Sequence, residues 1–228
     1  MKTIAIVLAA GTGSRFGSDE PKQFAMLDGR PVVLHSVDLF CSSDDIDEVA
    51  VVTHPRYRDR MAQLLDDSRY AKVTRLIDGG DERYLSSLNA LAALLDEPDD
   101  TSLLFHDAAR PWLSAALLTK VVEALRHHEA VGVAVPSTDT VWEVRQVFEP
   151  QLGKVVARIP ERNTMYLAQT PQAFRLPVIR DAYQRALQDP MFRATDDCGV
   201  VRRYMPEIPI HVVEGEQSNR KITFPSDI

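Results

Sequence analysis

The sequence predicts an α/β fold, in which a mostly parallel sheet carries helices on both faces. Strand-like and helix-like segments alternate along most of the 228 residues, as in consecutive β-α-β units. The first segment, Lys2–Leu8, is a continuous apolar run, which is typical of a strand buried on both faces. No repeat, linker or low-complexity tract interrupts residues 1–228, so we expect a single domain.

Each element is predicted from its own pattern: short apolar runs indicate strands, and apolar residues spaced three or four apart indicate helices. The strands predicted in the alternating part are Lys2–Leu8, Asp47–Thr53, Lys72–Ile77, Ser102–His106 and Ala130–Val135. The helices predicted between and after them are Pro31–Phe40, Tyr57–Leu65, Asp81–Leu95 and Leu113–His127. Asp81 is a candidate N-cap for the third helix, and Ser114 lies near the start of the fourth.

The alternation stops after Pro136. Two strand-like pieces, Val141–Val147 and Lys154–Arg158, flank a predicted turn at Glu149–Gly153, which together indicate a β-hairpin arm at about residues 137–163. Beyond the arm, the predicted elements are helices at Pro177–Leu187 and Cys198–Arg203 and strands at Pro209–Val213 and Arg220–Thr223.

Composition excludes several classes of protein. The chain has 26 Lys and Arg against 33 Asp and Glu, a formal net charge of −7, so a nucleic-acid partner is not expected. Two widely spaced cysteines, Cys41 and Cys198, form neither a disulfide framework nor a zinc site, and a cytoplasmic location is expected. No apolar run approaches the roughly 18 residues of a membrane helix. The run Ile4–Ala10 is short for a signal peptide and continues like a loop, which favours a buried strand.

A glycine-rich turn, Ala9-Ala10-Gly11-Thr12-Gly13, follows the first strand. Ligands of open α/β sheets bind beyond the carboxyl ends of strands, and small residues let backbone N–H groups approach phosphate oxygens. A Walker A loop would need a terminal Gly-Lys-Ser/Thr, and a dinucleotide fingerprint would need Gly or Ala in place of Phe16. Arg15 and Lys22 could supply fixed cations for phosphoryl or nucleotidyl transfer. The alternative is a tight structural turn with two solvated cations.

Two further motifs lie at predicted element ends. Gly79-Gly80-Asp81 precedes the helix that carries Ser86, and its backbone and side-chain groups could read the edge of a base. Asp107 ends a strand, where a carboxylate is well placed to hold a magnesium ion and its phosphates, and Arg110 could face an anionic substrate. A capped helix start and a buried acid–base pair are the structural alternatives.

The remaining candidates are weaker individually. Thr195 opens a helix with two aspartates, which is the usual pattern of a cap, and Lys221 in the predicted last strand could point a cation into a cleft. Thr140 and Arg162 belong to the predicted arm. The sequence has no GxSxG, HExxH or CxxC motif, and none of its six histidines is assigned a catalytic role.

Taken in order, these motifs resemble one family. LAAGTGSR, PKQ, GGDER, HDAARP, DT, QTPQ, TDD and RKIT are similar to the cytidylyltransferases of the non-mevalonate isoprenoid pathway, from Ile4 to about Asp227. The resemblance implies a Rossmann-like three-layer sandwich with a protruding β-arm that makes a homodimer, and a need for a divalent cation, usually Mg²⁺. It implies transfer of CMP from CTP to 2-C-methyl-D-erythritol 4-phosphate, with release of pyrophosphate.

The resemblance also implies roles for residues that match by position. Arg15 and Lys22 match the pair that stabilises the charged transition state, and Arg162 would reach in from the partner subunit. Arg162 and Lys221 complete the expected catalytic set. The expected CTP contacts are Ala9, Ala10, Gly11, Thr12, Gly13, Gly80, Asp81, Ser86, Asp107 and Ala108, with Asp107 also near the metal. The expected contacts to the alcohol phosphate are Arg110, Thr140, Arg162, Thr195 and Lys221.

Two alternatives stay open, and a third is disfavoured. A sister family that transfers CMP to ribitol 5-phosphate shares most motifs; Ala9-Ala10-Gly11 and HDAARP favour the erythritol enzyme, whereas Ile159-Pro160 and Met165-Tyr166 resemble the pentitol enzymes. A non-catalytic nucleotide-binding module would bind CTP without releasing pyrophosphate. A nicotinamide oxidoreductase is disfavoured, because Phe16 breaks the fingerprint and no acidic residue follows Val52.

Overall fold

The computed structural model describes residues 1–11, 16, 20–146 and 153–228. Its strands are β1 Thr3–Ala9, β2 Met26–Leu27, β3 Arg30–Pro31, β4 Glu48–Thr53, β5 Val73–Asp78, β6 Ser102–Asp107, β7 Ala130–Pro136, β8 Glu143–Gln146, β9 Lys154–Arg158, β10 Tyr166–Arg175 and β11 Ile210–Glu214. Its α-helices are α1 Val32–Ser42, α2 Arg58–Leu65, α3 Arg83–Ala92, α4 Ala115–His127, α5 Leu176–Ala186 and α6 Asp197–Tyr204. Short 3₁₀ helices lie at Lys22–Phe24, Pro55–Tyr57, Ser68–Tyr70, Arg162–Thr164 and Pro225–Asp227.

The main sheet, as far as the chain is described, has seven strands in the order β5-β4-β1-β6-β10-β7-β11. Strands β5, β4, β1 and β6 pair in parallel, and β11 pairs in parallel with β7. Strand β10 is antiparallel to both of its neighbours. The predicted mostly parallel, Rossmann-like sheet is therefore confirmed.

The side chains of β1 alternate between two hydrophobic cores, which defines the three layers. Ala5 and Val7 pack into a core with α1, α2 and α4. Ile4 and Ile6 pack into a second core with α3, α5 and α6. All four side chains are fully buried, as expected of a strand covered on both faces.

The prediction of a last strand at Arg220–Thr223 is wrong. This segment is irregular, and separate contacts hold it in place instead of a strand ladder. The Ile222 N–H donates to the Ala109 carbonyl at 2.7 Å, and the Ile222 side chain is buried against Val32 and Leu27. A buried β-branched residue can thus resemble a strand in sequence without pairing as one.

Sequence reasoning missed β10, the only antiparallel strand within the described sheet. Gln169 and Pro171 interrupt its apolar pattern, and proline cannot donate to a strand ladder. The register with β7 shifts between Ala168 and Gln172, and the peptide bond between Thr170 and Pro171 is cis. The strand accommodates the proline at this irregularity.

The predicted cap of α3 is wrong, and the start of α4 carries a cap that the sequence analysis did not assign. Asp81 does not cap α3: the N-cap residue is Glu82, and its side chain makes no capping hydrogen bond. Ser114 caps α4, where its Oγ accepts the Leu117 N–H at 3.0 Å.

Strands β8 and β9 pair antiparallel in a sheet of their own, which confirms the predicted hairpin. Every residue of β8 is exposed. Of the predicted turn at Glu149–Gly153, only Gly153 lies within the described residues. Among all the described residues, no helix is long and apolar enough to span a bilayer.

Candidate active site

A cleft of about 280 Å³ opens at the carboxyl ends of β1 and β6. Its position is the one at which open α/β sheets bind ligands. The predicted site residues that line it are Ala9, Ala10, Gly11, Lys22, Gly80, Asp81, Ser86, Asp107, Ala108 and Lys221. Thr12, Gly13 and Arg15 lie outside the described residues.

The turn after β1 is held by Gln23, a buried side chain to which the sequence analysis gave no role. Its Nε2 donates to the Ala9 carbonyl at 2.7 Å and to the Gly11 carbonyl at 3.1 Å. Gln23 follows Lys22 on the same 3₁₀ helix. The PKQ motif therefore couples the glycine-rich turn to the lysine predicted to act in catalysis.

Gly79 and Gly80 are required by close packing. A Cβ on Gly79 would overlap the Ala10 side chain, and one on Gly80 would overlap Leu85. Ser86, which is buried, accepts the Gly80 N–H at 3.2 Å. Gly79 thus lets the loop before α3 approach the turn after β1, and Gly80 lets the same loop pack on the first turn of α3. Together they close one side of the cleft.

Asp107, at the end of β6, is the most heavily paired acid of the cleft. Its Oδ1 accepts from Arg83 Nε at 3.2 Å, and its Oδ2 from Lys221 Nζ at 2.6 Å. Burial alone would raise the pKa of Asp107, but the charges of Arg83 and Lys221 outweigh it and hold the pKa well below its usual range. The carboxylate is therefore ionised at neutral pH.

The segment Asn219–Thr223 brings two cations together. Lys221 reaches Asp107 from it, and Lys22 Nζ donates to the Ile222 carbonyl at 2.8 Å. Lys22 comes from a part of the chain about 200 residues earlier. The two lysines predicted to stabilise charge are thus linked through this short backbone segment, and both line the cleft.

A buried chain of hydrogen bonds fixes the loop between Asp107 and Arg110. The Asp107 N–H donates to Thr170 Oγ1 at 3.1 Å, so the hydroxyl proton is directed to His106 Nδ1, also at 3.1 Å. His106 Nε2 then donates to the Arg110 carbonyl at 3.1 Å. Burial lowers the pKa of His106 to about 4, so the ring is neutral at pH 7. His106 orients this loop without contacting the cleft.

Other predicted residues do not meet in the described part of the cleft. The Arg110 guanidinium donates to the backbone carbonyls of Asn219 at 2.7 Å and Ala168 at 3.2 Å. Arg162 is exposed on a 3₁₀ helix, with Nη1 3.4 Å from the Thr138 carbonyl. Thr140 and Thr195 are exposed. Their roles stay predictions.

The donor set of the cleft fits a magnesium ion held through substrate phosphates. Among the described residues, no group of three or more His, Cys, Asp or Glu side chains could enclose a metal. Magnesium is commonly bound by one or two carboxylates together with phosphate oxygens, and needs no such cage. Asp107 supplies one ionised carboxylate at the cleft.

The sheet is mostly parallel, and its strand ends carry two glycine turns and one carboxylate, with two lysines beside them. This arrangement defines the class, a nucleotide-binding α/β protein. Residues 3–228 match the family model of IspD, 2-C-methyl-D-erythritol 4-phosphate cytidylyltransferase, and the chain belongs to this family. The family resemblance seen in the sequence is therefore confirmed.

Two relatives are named for the methylerythritol reaction, and a third is named for CDP-ribitol. The 2-C-methyl-D-erythritol 4-phosphate cytidylyltransferase of Thermobifida fusca is 47% identical and is matched over 100% of this chain and 90% of its own length. The solved 4-diphosphocytidyl-2C-methyl-D-erythritol synthase of Anaerococcus prevotii is 31% identical, with a TM-score of 0.82 over 99% of this chain and 94% of that one. The bifunctional ribulose 5-phosphate reductase/CDP-ribitol pyrophosphorylase of Haemophilus influenzae is 36% identical over 100% of this chain, but only 47% of its own length is matched.

Proposed function

We propose that this chain transfers CMP from CTP to 2-C-methyl-D-erythritol 4-phosphate, giving 4-diphosphocytidyl-2-C-methyl-D-erythritol and pyrophosphate in isoprenoid precursor biosynthesis. The observation that carries the proposal is the convergence of Lys22, Lys221 and Asp107 on one cleft in a member of this family. Cations and a metal-binding carboxylate are what a reaction between two phosphates requires.

The reaction is an in-line displacement. A phosphate oxygen of the alcohol phosphate forms a bond to the α-phosphorus of CTP, while the bond from that phosphorus to the α,β-bridging oxygen breaks. Pyrophosphate leaves with the electron pair, and no covalent enzyme intermediate forms. Lys22, together with Arg15 by its position in sequence, stabilises the charge on the oxygens around the α-phosphorus. The chain contributes positioning and fixed charge, and no nucleophilic side chain is needed.

The two backbone turns divide the recognition of CTP. Ala9, Ala10 and Gly11, continued by Thr12 and Gly13, cradle the triphosphate with backbone N–H groups. Gly80, Asp81 and Ser86 contact the cytosine and ribose on the other side of the cleft. Asp107 and Ala108 complete the CTP contacts from the end of β6, the strand that pairs with β1. Asp107 would hold a divalent cation, which neutralises phosphate charge when bound.

The alcohol phosphate is expected to lie against Lys221, with Arg110, Thr140, Arg162 and Thr195 completing its site. Of these residues, only Lys221 lines the described cleft, so the site is incomplete within one described chain. We propose that the arm of a second copy supplies Arg162 and Thr140. Five exposed apolar side chains on or beside the hairpin support such a homodimer: Val141, Trp142, Val144, Val156 and Ile159.

We also place the enzyme in the cytoplasm. Cys41 and Cys198 are both free thiols, and burial raises their pKa values, to about 11 for Cys41. Unreactive free thiols suit a reducing compartment.

Ribitol 5-phosphate is the second candidate acceptor, supported by the 36% identity to the Haemophilus influenzae relative. The deciding experiment measures pyrophosphate release from CTP with each alcohol phosphate and compares the two values of kcat/KM. A higher value for 2-C-methyl-D-erythritol 4-phosphate supports the proposal, and a higher value for ribitol 5-phosphate overturns the acceptor but keeps the mechanism. Binding of CTP without pyrophosphate release from either would indicate a non-catalytic module.

A further inference from the structure

Arg83, the first residue of α3, joins two carboxylates that come from different parts of the fold. Its Nε is 3.2 Å from Asp107 Oδ1, and its Nη1 is 2.8 Å from Asp197 Oδ2. Asp107 ends β6, and Asp197 begins α6, so the guanidinium connects three elements at the cleft. Arg83 also contributes to the cleft wall.

The Asp197 end of this bridge is buried and hydrogen-bonded. Asp197 is fully buried, and its Oδ1 accepts the Tyr183 hydroxyl at 2.7 Å. Tyr183 is one of the largest fully buried side chains in the described part of the chain. Asp197 is thus held from both sides, so it can fix the rotamer of Arg83.

Stability alone explains this arrangement poorly. Removing charges from water is costly, and apolar replacement of a buried ion pair is often neutral or stabilising. The ion pairs do fix the orientation of the Asp107 carboxylate. Because Arg83 engages Oδ1, the Oδ2 atom of Asp107 is left for Lys221.

We propose that Arg83 is a positioning residue: locked by Asp197 and Tyr183, it holds the Asp107 carboxylate so that one defined oxygen is presented to the metal–nucleotide complex. This inference rests on the proposed function only insofar as Asp107 takes part in binding CTP with a divalent cation. It does not depend on which alcohol phosphate accepts the cytidylyl group.

The two cations on Asp107 therefore have different tasks. Lys221 comes from an irregular segment, and its side chain is 37% exposed, against 25% for Arg83. Lys221 can leave Asp107 for a phosphate when ligands arrive. Arg83 stays, since Asp197 retains it, and keeps the carboxylate oriented while Lys221 is engaged elsewhere.

The test measures the Kd of CTP by calorimetry in the presence of Mg²⁺, with no alcohol phosphate. Losing a partner that orients a metal ligand typically costs about 10–100-fold in metal affinity or activity, so Arg83→Gln should weaken CTP binding to about that extent. Tyr183→Phe should weaken it in the same direction, but less, because the Arg83–Asp197 pair remains.

Tyr70→Phe is the matched control. Tyr70 donates to Asp38 at 3.0 Å and accepts from Arg30 at 2.9 Å, so it belongs to a similar Tyr–Asp–Arg group away from the cleft. This variant should lose stability without any change in the Kd of CTP. A melting temperature for each variant separates loss of fold from loss of binding.

A double-mutant cycle tests the route of the effect. If Tyr183 acts through Asp107, Tyr183→Phe should cost nothing further in an Asp107→Asn background, and the two effects should not add. Additive effects, or an unchanged Kd for Tyr183→Phe in the otherwise wild-type chain, would overturn the inference. Because Tyr183→Phe removes a single oxygen, this variant still tests the inference if Arg83→Gln does not fold. Wild-type protein that binds CTP but releases no pyrophosphate would contradict the proposed function and leave this test intact.

Discussion

Gly79 shows how single residues set the shape of the cleft. Its Cα lies so close to Ala10 that a methyl group would displace the turn after β1. Inserting one methyl into a packed site typically costs about 1–3 kcal/mol. We expect Gly79→Ala to lower the free energy of unfolding by about this amount and also to weaken CTP binding, as measured by urea denaturation and calorimetry. Normal CTP affinity in a folded variant would show that the turn tolerates the shift.

Lys22 is a predicted catalytic residue that lies within the described chain, so its role can be tested against a structural control. Removing one preorganised donor typically costs about 10²–10³-fold in kcat, so Lys22→Ala should lower turnover to that extent in a steady-state assay. The same loss is expected for Arg15→Ala from sequence position alone.

Lys72→Ala provides the control for Lys22. Like Lys22, Lys72 donates to backbone carbonyls, at 2.7 Å to Ser43 and 2.8 Å to Ile46, but it lies away from the cleft. The Lys72→Ala variant should lose stability and keep its turnover. If Lys22→Ala behaved in the same way, Lys22 would be structural and its role in transition-state stabilisation would be refuted.

At the scale of elements, β6 carries a pH-dependent part of the stability. Burial depresses the pKa of His106 from 6.5 to about 4, so the unfolded chain binds a proton more readily than the folded one as the pH falls. This contribution is fully present above pH 6.5 and is lost as the pH falls towards 4. Between pH 7 and pH 5 it amounts to a loss of about 2 kcal/mol.

The measurement compares urea unfolding of the wild type and His106→Gln at pH 7 and pH 5. The wild type should lose about 2 kcal/mol more over this interval than the variant, since only the wild type carries the imidazole. An NMR titration of His106 in the wild type provides an independent check. Equal losses in the two proteins, or a titration near pH 6.5, would contradict the prediction.

Elements with a regular pattern could be predicted from the sequence, and irregular ones could not. Strand β1 is buried on both faces and therefore forms a continuous apolar run, which is an unambiguous signal. Strand β10 contains polar residues and Pro171, so its place in the sheet follows from pairing partners far away in sequence. The segment Asn219–Thr223 depends on tertiary contacts, such as the two hydrogen bonds that the Asn219 side chain donates to Gln169 and Thr170. No periodic pattern in the sequence indicates these contacts.

The residues of the candidate site also differ in whether the sequence could predict them. The glycine turns and Asp107 could be predicted because each stands at the end of an element with a clear pattern. Arg83 and Gln23 were missed although both belong to recognised motifs. Their partners, Asp197 and the carbonyls of the first turn, become neighbours only in the folded chain.

For the whole molecule, the incomplete acceptor site makes the oligomeric state a functional question. Trp142 lies beside the hairpin and is 61% exposed, and other apolar side chains are exposed with it. Leaving such an apolar patch in contact with water is unfavourable. A two-fold dimer would bury this surface and bring each arm to its partner. Sedimentation at micromolar concentration should show a dimer, and Trp142→Asp should shift it towards the monomer with a loss of turnover. A fully active monomer would refute the role of the arm.

Mixed dimers test whether Arg162 acts across the interface. A Lys22→Ala chain and an Arg162→Ala chain should each be nearly inactive alone. If each site combines its own Lys22 with the partner's Arg162, a mixed dimer contains one intact site, and equal mixing should recover about a quarter of wild-type activity. If both residues act within one chain, no mixed dimer has an intact site and mixing recovers nothing. Adding Trp142→Asp to both chains should abolish the recovery, because the rescue requires the interface and not merely the presence of both chains in solution.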